Sequence, residues 1–150
     1  MTDRIFACSG ALLLLGALLS GPLASQTPTD TAAAIRAADS AEVAWLKLVD
    51  QGQLAESWNQ AALAFQAAVT SDQWQQAVKN ARGPYEPFGA RAQVAARYTT
   101  TIPNAPPGQY VITQYRTGVA GGASVIETVV AVQDGKRGWR VSGYFIRPAT

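Results

Sequence analysis

Apolar residues recur at helical spacing through the first half of the chain and in alternation through the second. Ala34, Ala38, Ala41, Trp45, Leu48 and Val49 share one face at i, i+3, i+4 intervals, with Glu42, Lys47 and Gln51 off it. That period predicts a helix. Gly52 follows its last periodic residue, where a left-handed cap belongs. A second helix starts near Gln53 with Leu54, Trp58, Ala61, Ala62, Phe65 and Val69 as its stripe. Thr70-Ser71-Asp72 reads as an N-cap, with Ser71 as a capping hydroxyl, and Trp74, Val78 and Ala81 continue as a third, short helix. Arg82-Gly83-Pro84 ends it.

After Pro87 the period changes to two. Ala92, Val94, Ala96 and Tyr98 alternate with Arg91, Gln93, Ala95 and Arg97, which predicts a half-buried strand. Pro103 to Gly108 is a proline-rich turn. From Tyr110 to Val119, Val111, Thr113, Tyr115 and Thr117 lie opposite Tyr110, Ile112, Gln114 and Arg116. Gly121-Gly122 turns the chain, and Val125 to Val132 is a β-branched run that suits a central strand. Asp134-Gly135 opens a hairpin into a last strand, Trp139 to Ile146. Helices followed by strands predict an α+β fold: about three N-terminal helices packed on one face of a four-stranded antiparallel sheet.

Ahead of these elements stands a segment of another kind. Arg4 precedes an apolar run from Ile5 to Leu19, which Gly21 and Pro22 break before the small residues Ala24 and Ser25. That order is the pattern of a secretory signal. Its run falls short of the roughly 20 residues that cross a bilayer. An uncleaved anchor is the alternative, and a lipoprotein at Cys8 is a third. The division expected is a signal over residues 1–25, a flexible leader over 26–31 and one α+β domain over 32–148, with no transmembrane segment after cleavage. The expected location is the periplasm or the cell exterior.

Charge is unevenly spread. Residues 26–81 hold three basic and six acidic side chains, whereas residues 82–150 hold eight basic and three acidic. The simpler reading is that two halves of opposite sign pack against each other. The other is that the basic half faces an anionic partner. Seven of its eight basic residues are arginines scattered singly, which favours packing.

The chain has no His, and its one Cys is Cys8 in the expected signal. The domain therefore lacks an imidazole base, a thiol nucleophile and the usual soft metal ligands. No serine can form a triad with His, and the Gly118 to Gly122 stretch has neither the helix nor the Lys-Ser/Thr of a phosphate loop. No cofactor and no nucleic-acid partner are expected. Glu127 is the residue that stands out, a carboxylate in an apolar strand on the face of Val125, Val129 and Ala131. If the hairpin pairs the last two strands, Glu127 meets Tyr144 or Arg140, either as a cross-strand ion pair or as part of a pocket. Tyr115 is a further candidate for a pocket wall or polar sheet face. Asp50, next to a helix end with Ser57 nearby, reads as a capping carboxylate.

Several spaced motifs carry a family resemblance. They are Trp45-Leu46, Val49-Asp50-Gln51-Gly52, Ser57-Trp58, Phe65, Gln73-Trp74, Arg82, Gly89 and Arg91, then Pro103, Pro107-Gly108-Gln109-Tyr110, Glu127-Thr128-Val129 and Trp139-Arg140-Val141-Ser142-Gly143-Tyr144-Phe145-Ile146. Over about residues 40 to 147 the chain resembles DUF4019, a family of small exported bacterial proteins of unknown function. The resemblance implies a layout similar to cystatin-like or NTF2-like folds, in which helices embrace a curved four-stranded antiparallel sheet, and no particular chemistry. The function expected is that of an exported, non-catalytic binding or accessory domain whose partner is a small ligand or an envelope protein. Two alternatives stand beside it: an NTF2-like enzyme using Glu127 and Tyr144 for acid-base chemistry, and an envelope protein that sets its basic half against anionic lipid or polymer.

Overall fold

The computed structural model describes residues 28–150, so the expected signal lies outside the described residues. Helix α1 spans Pro28–Asp50, with Asp30 in its first turn and Lys47 in its last, each favourable to the helix dipole. Its first turns take in Pro28 to Thr31, which the sequence reading gave to a flexible leader. The Gly52 cap forms as expected. Gly52 has φ +72°, its N–H donates to Val49 O at 3.0 Å, and Gln53 N–H donates to Leu48 O at 2.9 Å. These are the two bonds of a Schellman motif.

The single helix expected from Gln53 is two helices, α2 (Leu54–Gln60) and α3 (Leu63–Ala68). The break falls at Ala61-Ala62, both extended and fully buried. With only methyl side chains there, the backbone comes close enough to the sheet for Ala62 N–H to donate to Val141 O at 2.8 Å. The Gln66 amide closes the gap by donating to Trp58 O and Asn59 O at 2.9 and 2.8 Å. Helix α4 spans Ser71–Arg82. Its cap is Thr70 rather than Ser71: Thr70 Oγ1 accepts from Gln73 N–H, and the Gln73 side chain accepts from Thr70 N–H. This is a complete capping box.

Strands β1 (Arg91–Thr99), β2 (Tyr110–Gly118), β3 (Ser124–Gln133) and β4 (Trp139–Pro148) form an antiparallel sheet in sequence order. Two bulges alter the alternation read from the sequence. One, between Gln93 and Ala95, puts Arg91 opposite Thr117 and Tyr98 opposite Val111, all on the helix-facing side, and leaves Val94 52% exposed. The other lies opposite Val130–Ala131, so that Arg140 pairs with Val132 while Tyr144 pairs with Val129. Arg140 and Tyr144 therefore do not share a face.

The helices cover the face that carries Val111, Val125, Val129, Ala131 and Val141, all fully or nearly fully buried. Trp45, Leu46, Val49, Leu54, Trp74 and Val78 pack onto the sheet at Tyr115, Val129 and Val141. A smaller cluster joins Ala38, Val111 and Ala131. On the other face Ile112, Thr128, Val130 and Val132 are half-buried, and Arg116, Phe145 and Arg147 are exposed. Among the described residues no helix is long and apolar enough to cross a membrane.

Candidate functional site

Glu127 is completely buried, and both of its oxygens are occupied. Oε1 accepts from Tyr144 Oη at 2.6 Å and from Arg82 Nη1 at 3.1 Å. Oε2 accepts from Thr117 Oγ1 at 2.5 Å and from Arg91 Nε at 2.7 Å. Both arginines also hold Asp50, at 2.6 Å from Arg82 Nη2 and 2.9 Å from Arg91 Nη1. Arg82 further donates to Tyr144 Oη and lies 3.6 Å over the Phe88 ring. One network thus ties the ends of α1 and α4 to β1, β2, β3 and β4.

The electrostatics follow from that packing. Burial works against the charge of Asp50, but the hydrogen bonds and charges of Arg91 and Arg82 outweigh it, and its pKa falls below the ordinary value. Burial likewise opposes the charge of Arg91, yet Asp50 and Glu127 hold its pKa above the usual guanidinium value. Burial first, then the charge of Glu127, makes the Tyr144 proton harder to remove.

Asp50 therefore acts as an ion-pair partner of two arginines, not as the capping carboxylate read from the sequence. Arg140 does not reach Glu127; its Nε donates to Arg137 O at 3.1 Å. Arg82 and Arg91 are the residues that sequence reasoning missed as partners. The signal that could have found them is the charge asymmetry between the halves, because the acid at the end of α1 meets two arginines of the basic half.

Tyr115 lies directly opposite Glu127 in the β2–β3 register but joins a second cluster. Its Oη contacts Asp39 Oδ1 at 2.7 Å and Glu42 Oε2 at 3.1 Å. Burial, reinforced by both carboxyls, makes its proton hard to remove. Glu42 is fully buried, and its Oε1 has no hydrogen-bond partner among the described residues. Burial pushes its pKa up to about 7; the nearby Thr113 and Tyr115 hydroxyls pull the other way, and Asp39 adds to the rise. Among the described residues no three metal-ligating side chains converge.

The layer between helices and sheet is filled by aromatic rings. Trp45 and Trp74 lie 5.4 Å apart, Phe65 stands edge-on to Trp74 at 5.2 Å, and Tyr144 closes against Trp45 at 5.8 Å. The indole N–H groups are spent inside this layer: Trp45 donates to Ser57 O, Trp74 to Ser57 Oγ and Trp58 to Val69 O.

Open space lies on the other face. A groove of about 570 Å³ runs over Tyr110, Val130, Val132 and Phe145 between the 102–108 loop and α3, which contributes Ala64, Phe65 and Ala68. Phe145 is 62% exposed beside it. Gly143 permits that floor: a Cβ there would come within 3.3 Å of the Phe145 ring and 3.5 Å of Val130. The loop wall is held by Tyr110 Oη donating to Pro106 O at 2.7 Å.

The profile of the DUF4019 family, described as a protein of unknown function, matches residues 41–144. The chain belongs to that family. No curated protein and no solved structure matches it.

Proposed function

We propose that this DUF4019 protein is an exported, non-catalytic binding domain whose site is the groove on the outer face of its sheet. The apolar groove between α3 and the 102–108 loop carries the proposal. At about 570 Å³ it lies within the size of small-molecule sites, and its floor is apolar apart from a few polar groups at its ends. Export rests on the signal pattern of residues 1–25. The occupancy of the Glu127 network supports a non-catalytic role. A general base needs an oxygen that can reach the reacting proton, and each Glu127 oxygen already has two donors.

Titration with N-phenylnaphthylamine, an uncharged fluorophore that brightens in apolar surroundings, tests the reading. Saturable one-to-one binding is expected. Phe145→Asp should weaken it about tenfold, given the worth of one aromatic contact, without lowering the unfolding midpoint. No saturable binding, or equal binding by Phe145→Asp, would overturn the proposal.

A further inference from the structure

The open face of the sheet carries arginines and no acidic residue on its four strands. In the register, Arg116 on β2 and Arg147 on β4 pair with Ile126 from either side, so the two arginines flank one position of the central strand. Both are exposed, and among the described residues neither has a carboxylate partner within salt-bridge distance. Ile126 between them is only 5% exposed, as the apolar stems of two such side chains would leave it. The next row towards the groove holds Gln114, Thr128 and Phe145, and the row after that Ile112, Val130 and Gly143, with the exposed Arg97 of β1 beside Ile112. No acidic residue stands on this face of the four strands.

The far end of the groove also carries an arginine, Arg140, which pairs with Val132 on this face. Asp134 lines it there, already engaged by Arg137 Nη1 at 2.8 Å and by Leu63 N–H at 3.1 Å. The face therefore offers no acid free of an ion pair, and at one end two exposed guanidiniums flank a single position of the central strand, with Phe145 and the aliphatic side chains of the groove beyond them. From Val132 to Ile126 that track is about 20 Å long at strand rise.

Resting on the groove as the binding site, we infer that its ligand is a long-chain carboxylate bound as a single molecule, with its chain over Val130 and Val132 beside Phe145 and its headgroup between Arg116 and Arg147. Guanidinium forks suit a carboxylate, and Arg116 and Arg147 flank one strand position from both sides, whereas Arg140 at the other end already donates its Nε to Arg137 O. A cationic amphiphile of the same length would meet Arg116 and Arg147 with like charge.

The test is displacement of N-phenylnaphthylamine from the protein by dodecanoate and by dodecyltrimethylammonium, each below its aggregation concentration. Dodecanoate should displace the probe at lower concentration. Arg116→Gln combined with Arg147→Gln should weaken dodecanoate by roughly fivefold, the worth of two exposed ion pairs, and leave probe affinity unchanged. About 0.5 M salt should reduce the preference in the unaltered protein and not in the double variant. Equal displacement by both amphiphiles, with the probe still binding, overturns this inference and leaves the groove reading standing. Failure of the probe itself overturns both. Co-sedimentation with phosphatidylglycerol vesicles while monomeric dodecanoate displaces nothing also overturns the inference, and would assign the arginines to a membrane surface instead.

Discussion

Glu42→Gln should stabilise the protein at neutral and alkaline pH and do so progressively. The Glu42 carboxyl is fully buried, one oxygen has no partner among the described residues, and its pKa is raised from 4.5 to about 7. Below pH 4.5 the folded and unfolded chains both carry the proton, and the contribution of Glu42 to stability is complete. Between 4.5 and about 7 the unfolded chain gives up the proton while the folded chain keeps it, so stability falls as pH rises. Above about 7 both are ionised and the loss is complete. At about 1.36 kcal/mol per pH unit, a displacement from 4.5 to about 7 amounts to about 3 kcal/mol.

Gln keeps the shape and cannot ionise. Urea unfolding followed by tryptophan fluorescence, run on both proteins from pH 4.5 to 8, gives the difference directly. That difference should move in favour of Glu42→Gln by about 3 kcal/mol across the range and then level off. Groups that titrate alike in both proteins cancel. Asp39→Asn, which removes the neighbouring charge that helps raise Glu42, should shift the same window to lower pH. A difference that stays flat between pH 5 and 8 would refute the reasoning, because it would mean that Glu42 ionises in the fold as easily as in water.

Arg82→Met should cost about 3 kcal/mol in the same unfolding assay, because it deprives buried Glu127 and Asp50 of a shared donor. Asp50 works in the opposite direction from Glu42. Its pKa is lowered from 3.8, so its contribution is present above that value and is lost as pH falls through the folded-state value; Asp50→Asn should flatten that part of the acid limb. Thr70→Ala, which removes the capping box of α4, should cost about 1 kcal/mol. Gly52→Ala, at φ +72° with open space around it, should cost about 1 to 2 kcal/mol through backbone conformation alone.

The periods of the chain revealed the elements, but not where they are interrupted. Helix α1, its Gly52 cap, α4 and the faces of β2 and β3 follow directly from apolar spacing, because one side of each is covered and the other is not. The break between α2 and α3 escaped, since two alanines fit a helical stripe as readily as a close approach of backbone to sheet; Ala62 N–H bonding to Val141 decides it. The bulges escaped for a similar reason. One unpaired residue reverses every later side chain, and nothing local in Gln93-Val94-Ala95 or Val141-Ser142-Gly143 announces it. Hence Tyr144 is placed beside Glu127 and Arg140 is not. Arg82 and Arg91 lie 45 and 36 residues from Glu127, and only the folded topology brings such distant charges together.

The two faces of the sheet divide their polar groups in a way that bears on chemistry. A proton-transfer reaction needs a group whose bonding can change during the reaction. On the covered face Glu127 is the carboxylate in the expected position, but its four donors would each have to move for it to act, and two of them are guanidiniums. Tyr144 cannot take its place as an acid, since its proton is directed at Glu127 and burial holds it there. On the open face of the four strands the charged groups are arginines, which at any ordinary pH can attract an anion or orient it but cannot accept a proton. The groups of the Glu127 network are thus fully engaged, and the arginines of the open face can only hold a ligand. That division supports the proposed reading of recognition rather than reaction, on the side of the sheet that the helices leave uncovered.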